Sequence, residues 1–376
     1  MRYSPFRHLP SVIWKRRPIQ LTFFVTRRCN ARCPFCFYLN GADRAEAKSE
    51  EFSLEEVRRT ASSLGRLLWL AFSGGEPYLR KDLVEVSRAF YAANRPAIML
   101  YSTNGLLPEL IAERTEQILS HCRNSTVVVK VSLDGIGGEH DRLRATPGGF
   151  EKAMRTYRLL SKLPERYPNF ELGINTVLFR DNQDQMDALV GFVRGLPNLR
   201  THTISLVRGN PPDPRCKDVD PDKYRQAAAS LEEALTARTA TIYRFNGGRL
   251  KAAQDILQRR MIYRTLVEQR RQTPCYAGRL NLVLTESGEL FACEMLPHSL
   301  GNLREHGHDV RRVLGSTRAR HILDSIHQGR CYCTHECYFI TNILFNPRLY
   351  PALAREYLRL APAQPGRETA SSFLPR

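Results

Sequence analysis

Between residues 20 and 209, apolar runs of strand length alternate with stretches whose apolar positions recur every three or four residues. Gln20–Thr26, Leu67–Phe72, Ala97–Ser102, Thr126–Leu133, Phe170–Phe179 and Arg200–Val207 are rich in β-branched and aromatic residues and read as six strands. Ser53–Leu64, Leu79–Ala92, Pro108–Cys122, Phe150–Leu160 and Gln183–Gly195 read as helices, and Ser53 and Glu56 stand at capping-box spacing. Strand followed by helix, repeated in order, implies parallel pairing through right-handed crossovers. Six units fall short of a closed eight-stranded barrel. The fold expected is α/β, an open (β/α)6 TIM-like barrel over 20–209, with function on the loops at the C-terminal ends of its strands.

The periodicity changes at residues 210–218, a turn-rich boundary. Helical patterns follow at Pro221–Arg238 and Gly248–Arg271, so 210–270 reads as a helical linker. Residues 271–345 are Cys-rich and carry a hairpin signal: Leu280–Leu284, the turn Glu286-Ser287-Gly288, and Leu290–Cys293. Residues 1–19 form an N-terminal extension. Residues 346–376 form a tail, polar and Pro-rich beyond about Ala361 and expected to be partly disordered. No apolar run approaches 18 residues, which excludes a transmembrane helix. The first 18 residues have no continuous apolar core, which argues against a secretory signal and for a cytoplasmic protein. Phe6, Trp14, Lys15, Arg16 and Arg17 are expected to pack across the bottom of the barrel, with a peripheral membrane contact as the alternative.

The 376 residues include 56 Lys and Arg against 38 Asp and Glu, a net charge of +18. That surplus favours anionic partners without choosing among phosphorylated substrates, nucleic acid and lipid. The ten cysteines sharpen the picture, because a reducing compartment does not keep a disulfide framework. Cys29, Cys33 and Cys36 cluster directly after the first strand, and Cys275, Cys293, Cys331, Cys333 and Cys337 gather near the other end. Two groups imply two metal centres. Three thiolates within eight residues suit a [4Fe–4S] cluster with one iron left open, and a structural zinc site is the competing reading. Cys122 and Cys216 stand apart. They are catalytic candidates by elimination only, and Cys122 reads better as a small buried apolar residue.

The loop Cys29-x-x-x-Cys33-x-Phe35-Cys36 resembles the signature of the radical S-adenosylmethionine (SAM) superfamily. Ser73-Gly74-Gly75-Glu76-Pro77, Ser102-Thr103-Asn104-Gly105 and Ser132-Leu133-Asp134-Gly135 follow at successive strand ends, in the order that family uses. The resemblance implies that Cys29, Cys33 and Cys36 hold a [4Fe–4S] cluster whose open iron is chelated by SAM. It implies that Gly74, Gly75 and Glu76 receive the methionyl amine, and that Ser102, Asn104, Ser132 and Asp134 meet the ribose and carboxylate. Phe35 would shield the cluster, Arg144 would pair with the methionyl carboxylate, and Asn175 would lie in the fifth strand beside them. One electron from the cluster would cleave SAM to a 5′-deoxyadenosyl radical, which removes a hydrogen atom from the substrate.

The Gly288-x4-Cys293 hairpin is similar to the SPASM and twitch domains of that superfamily, which carry auxiliary [4Fe–4S] clusters. Five cysteines suit the twitch-like form with one auxiliary cluster. Cys275 and Cys293 are its surest ligands, with the remainder open among Cys331, Cys333 and Cys337. A zinc knuckle using His335 is the competing reading. Such a cluster would accept or relay an electron, making the protein a radical SAM oxidoreductase served by a donor such as flavodoxin or ferredoxin. With few residues ahead of the first strand, the substrate expected is a small molecule (sugar, lipid or other metabolite), anionic where Arg208 faces the cavity. His202 and Arg279 are weaker contacts. The alternatives are a ribosomal-peptide maturase using a separate recognition protein, a redox-neutral epimerase, and, on charge alone, a non-catalytic zinc or nucleic-acid-binding protein.

Overall fold

The structure is a computed structural model and describes residues 2–39, 51–237, 239–329 and 331–360. The expected tail beyond residue 361 and the end of the helix at Arg238 lie outside the described residues. Six strands, β1 (Gln20–Phe24), β2 (Trp69–Ser73), β3 (Ile98–Thr103), β4 (Thr126–Ser132), β5 (Phe170–Leu178) and β6 (Thr201–Leu206), pair in parallel, each with the next. They form the open partial barrel that the alternation of elements implies. On β4, Val127, Val129 and Val131 pack outward against helices, whereas Val128 joins Trp69, Ala71 and Ile98 on the concave face. The sequence reads this strand as near-continuously apolar because both its faces are covered.

The C-terminal hairpin is part of the same sheet. Its strand β7 (Asn281–Leu284) pairs in parallel with β1, from Gln20 opposite Asn281 to Phe23 opposite Leu284. β8 (Glu289–Phe291) and β9 (Gly301–Asn302) continue antiparallel beyond it, giving nine strands in the order β6-β5-β4-β3-β2-β1-β7-β8-β9. At the other edge, the helix Pro221–Thr236 packs on β6, and the helix Gly248–Glu268 packs on that helix in turn. The loop between them plugs the bottom of the barrel with Tyr243 and Phe245. Residues 346–360, read from sequence as tail, hold a helix, Tyr350–Arg359, packed on Gly248–Glu268.

The N-terminal segment crosses the N-terminal ends of the strands, but Phe6, Trp14, Arg16 and Arg17, expected to pack there, are exposed. Tyr3 N–H donates to Asn124 O, and Arg7 donates to Leu67 O and Arg95 O. The capping box at Ser53 and Glu56 is formed. The helix expected from Leu79 begins four residues later, at Leu83. The intervening turn is held by Arg80, a fully buried guanidinium that donates to Val25 O, Phe52 O and Asp82. Side-chain demand for those carbonyls outweighs local helix propensity. No helix among the described residues is long and apolar enough to cross a membrane.

Candidate functional site

The loop after β1 carries Cys29, Cys33 and Cys36 over the C-terminal ends of the strands. Its approach is fixed by backbone. Gly75 N–H donates to Thr26 O (2.7 Å) and Glu76 N–H to Arg28 O (2.8 Å). A β-carbon at Gly75 would stand 2.1 Å from Arg28 O, and one at Gly74, where φ is +124°, 2.5 Å from Thr26 O. The two glycines therefore admit the Thr26–Arg28 strand extension that delivers Cys29. Arg80 holds the same segment through Val25 O. The far end of the loop is held by the hairpin turn, where Tyr38 donates to Glu286 and Arg27 pairs with it at 3.8 Å.

Glu76 does not stand open. Its buried carboxylate accepts from Thr103 Oγ1 (2.9 Å), Asn104 N–H (2.7 Å) and Tyr78 N–H (3.3 Å), joining the second strand-end loop to the third. Burial pushes its pKa up to about 7 despite these donors. The role expected for the trio, receiving an amine, is thus overlaid by a structural one. Asn104 donates from Nδ2 to Asn30 (2.7 Å) and lies 3.8 Å from Cys29 Sγ. Cys29 Sγ also accepts from Ala31 N–H (3.4 Å), and Cys36 Sγ from Leu39 N–H (3.3 Å). Burial raises the Cys29 thiol to about 11 and raises Cys33 too.

Arg144, expected to meet a ligand carboxylate, is committed to protein groups. It pairs with Asp134 at 3.3 Å and sits beside Cys33 and Cys29, where the acidic neighbours offset its burial and hold its pKa up. Asp134 accepts from Val177 N–H (2.7 Å). Asp134 Oδ2 and Arg144 Nη1 are the two atoms of that ion pair, and Arg144 Nε is buried without a hydrogen bond. Phe35 is buried against Phe179, ring centroids 4.4 Å apart, which takes one of its faces. Ser102, Ser132 and Asn175 remain partly exposed at the strand ends, with Ser205 donating to Asn175 (3.4 Å). Three thiols with a buried cation beside them fit an anionic iron–sulfur cluster.

The second cysteine group resolves into two parts. Cys275, Cys293, Cys331 and Cys333 line one cavity of about 170 Å³. Main-chain N–H groups point at their sulfurs: Ala277 at Cys275, Met295 and Leu296 at Cys293, and His335 at Cys333. Arg271 donates to Cys331 Sγ at 3.1 Å. That donor shell suits thiolates, and four of them around one small cavity fit a fully liganded cluster. Cys337 is not on this cavity. It is half-buried, near Glu294, Arg208, Glu336 and Lys130 on the barrel side. Among the described residues no three Cys, His, Asp or Glu side chains converge tightly enough to grip a single ion.

The model of the Radical SAM superfamily matches residues 23–193. The chain carries a radical SAM domain over that span. It is 26% identical over 303 residues to an AdoMet-dependent heme synthase of Methanosarcina barkeri, covering 77% of this chain and 80% of that protein. It is 30% identical over 190 residues to a PqqA peptide cyclase of Rhizobium meliloti, covering 49% and 45%. The fold matches the crystal structure of native anSMEcpe with bound AdoMet and a Cp18Cys peptide at TM-score 0.56 and 15% identity, over 91% of this chain and 99% of that one. A [4Fe–4S] cluster and SAM are the cofactors of the radical SAM superfamily.

Other expected contacts of this radical SAM chain fall elsewhere. Arg208 does not offer an open cation to an anionic substrate. It pairs with Glu294 (3.2 Å) and Glu336 (3.8 Å) and lies over the Phe37 ring. His335, the alternative zinc ligand, contacts Glu294 at 2.9 Å in the same buried knot. His202 sits against Thr176 (2.9 Å), and burial drops its pKa to about 3. Cys122 caps the helix Pro108–His121 in the core. Cys216 is buried with Phe35, Phe179 and Cys33, behind the cluster loop. Sequence reasoning missed Lys130, which faces the barrel interior, donates to Thr203 and has its pKa lowered to about 8 by burial. The lone lysine in Val127-Val128-Val129-Lys130-Val131 was its signal.

Proposed function

We propose that this chain is a two-cluster radical SAM enzyme. Cys29, Cys33 and Cys36 hold the [4Fe–4S] cluster that binds SAM, and Cys275, Cys293, Cys331 and Cys333 hold a single auxiliary [4Fe–4S] cluster, leaving Cys337 outside it. The observation carrying this reading is the four-thiol cavity with its inward main-chain donors, together with a three-thiol loop anchored at the barrel mouth. When bound, SAM and the reduced cluster supply a carbon radical able to abstract hydrogen from an unactivated C–H bond. The protein's part is to fix the loop through Gly74, Gly75 and Arg80, and to balance cluster charge with Arg144. Ser102, Asn104, Ser132, Asp134 and Asn175 orient SAM. A fully liganded auxiliary cluster has no open iron for substrate, so its work is to take an electron onward, which points to oxidative chemistry fed by a flavodoxin-like or ferredoxin-like donor.

For the substrate, a peptide is the reading best supported, in place of a sugar or lipid metabolite. A PqqA peptide cyclase is among the relatives, and a structure holding AdoMet and a peptide shares the architecture over nearly the whole chain. A second reading, a heme-type tetrapyrrole, is favoured by the heme synthase alignment over 77% of the chain. Anaerobically reconstituted enzyme with SAM and dithionite is expected to release 5′-deoxyadenosine and to lower the mass of a peptide encoded beside its gene by two hydrogens. Conversion of an iron porphyrin with the peptide unchanged selects the second reading. No 5′-deoxyadenosine with any substrate defeats both.

A further inference from the structure

Ten large apolar side chains are exposed among the described residues, and seven of them lie in two short segments. Phe6 (46% exposed), Leu9 (59%), Ile13 (74%) and Trp14 (66%) belong to the N-terminal segment, and Tyr350, Tyr357 and Leu358 to the last helix. The two segments are far apart in sequence but wall one cavity of about 830 Å³, whose floor includes Trp69, Ile98 and Phe245 at the N-terminal ends of the strands. Scattered exposed apolar residues need no explanation, but Phe6, Leu9, Tyr350 and Tyr357 line this one cavity, with Ile13, Trp14 and Leu358 exposed on the same two segments, and together they mark an interaction face.

The charge of this face is one-sided. Residues 2–17 contain Arg2, Arg7, Lys15, Arg16 and Arg17 and no acid. Residues 345–360 contain Arg348, Arg355 and Arg359 and a single acid, Glu356, which is buried and paired with Arg260 at 2.8 Å. Exposed Trp, Phe, Leu and Tyr rimmed by arginine and lysine match what the headgroup region of a bilayer accepts. Apolar and aromatic groups enter at the acyl boundary while cations meet anionic lipid.

We propose that this face docks the protein peripherally on an anionic lipid bilayer. Phe6, Leu9, Ile13, Trp14 and Leu358 enter the interface, and Lys15, Arg16, Arg17 and Arg355 contact lipid phosphates. The Cys29–Cys36 loop lies at the opposite ends of the strands, so the docked protein turns its catalytic mouth to the aqueous side.

The test is flotation of the full-length protein with vesicles of phosphatidylcholine alone or with one third phosphatidylglycerol, while following Trp14 emission. Trp69 is buried, so an emission shift reports Trp14. The expected result is binding to the anionic vesicles with a blue shift, at least tenfold weaker to neutral vesicles and weakened again by 0.5 M salt. Lys15→Gln/Arg16→Gln/Arg17→Gln is expected to lower the partition coefficient on the order of a hundredfold. Trp14→Ser/Leu9→Ser should lower it too. Leu9, Trp14, Arg16 and Arg17 are exposed and Lys15 is half-buried against the Tyr276 ring, and unchanged iron content and melting temperature verify the fold. Failure to bind anionic vesicles overturns the proposal. So do equal binding to both vesicle types and a lipid-free dimer that buries Trp14.

Discussion

Gly75→Ala tests the reading that the glycine pair exists to admit the cysteine loop. The added methyl would lie 2.1 Å from Arg28 O and 2.9 Å from Arg27 O. The first is well over 1 Å inside the usual contact distance of about 3.5 Å, and the second is inside it too. Both neighbours are main chain, so no rotamer change relieves the overlap. Overpacking of this kind costs about 1–3 kcal/mol, sometimes more. A domain stable by about 5–15 kcal/mol survives that, so the variant is expected to fold with a melting temperature lower by a few degrees. The displacement falls on Thr26–Arg28, the residues that deliver Cys29. Iron after anaerobic reconstitution is therefore expected to drop from about eight to about four per chain, with 5′-deoxyadenosine formation lost and the auxiliary cluster kept. Gly65→Ala is the control, since nothing lies within 4 Å of its β-carbon. Iron content and SAM cleavage in Gly75→Ala equal to those of the parent would refute the argument.

Cys331→Ser and Cys333→Ser should each reduce or destabilise the auxiliary iron, whereas Cys337→Ser should leave the iron count and absorption spectrum intact, checked by iron analysis and electron paramagnetic resonance. Arg144→Met removes a cation beside Cys33 and should make the first cluster harder to reduce, read as a more negative midpoint in a redox titration. It should also lower stability, because Asp134 is left buried without its partner. Glu76 holds its proton more tightly in the folded state than in the unfolded chain, so its contribution favours folding at low pH and fades as pH rises from 4.5 towards 7. The pH slope of the denaturation midpoint over that window should flatten in Glu76→Gln. Arg208→Ala leaves Glu294 and Glu336 buried with only His335 for a cation and should destabilise by roughly 1–3 kcal/mol, with Glu294→Gln in the same chain recovering part of the loss.

The parallel sheet and its loops were legible because periodicity is local: alternating runs announce strands, and Cys29, Cys33 and Cys36 announce a soft-metal loop by spacing alone. What could not be read was long-range. Nothing in Asn281–Leu284 tells that it will lie beside Gln20–Phe23, since a short apolar run pairs equally well with several partners. Gly74 and Gly75 were legible as special, but the atoms excluding a side chain there belong to Thr26 and Arg28, some fifty residues earlier. Arg208 looked available because an arginine at a strand end is exposed by default, and its two glutamates, 294 and 336, come from distant segments. The division of five cysteines into four and one likewise rests on where the helix Glu336–Leu344 turns Cys337, which spacing does not encode.

The pairing of β7 with β1 has a consequence for biosynthesis. The first strand leaves the ribosome with one edge open and meets its partner only after more than 250 further residues have been made. Throughout that interval Gln20–Phe24 presents unsatisfied amides and carbonyls to any passing chain. A nascent polypeptide halted before residue 281 is thus an aggregation hazard, and neither iron site is expected to load until the hairpin that begins at Asn281 has been made.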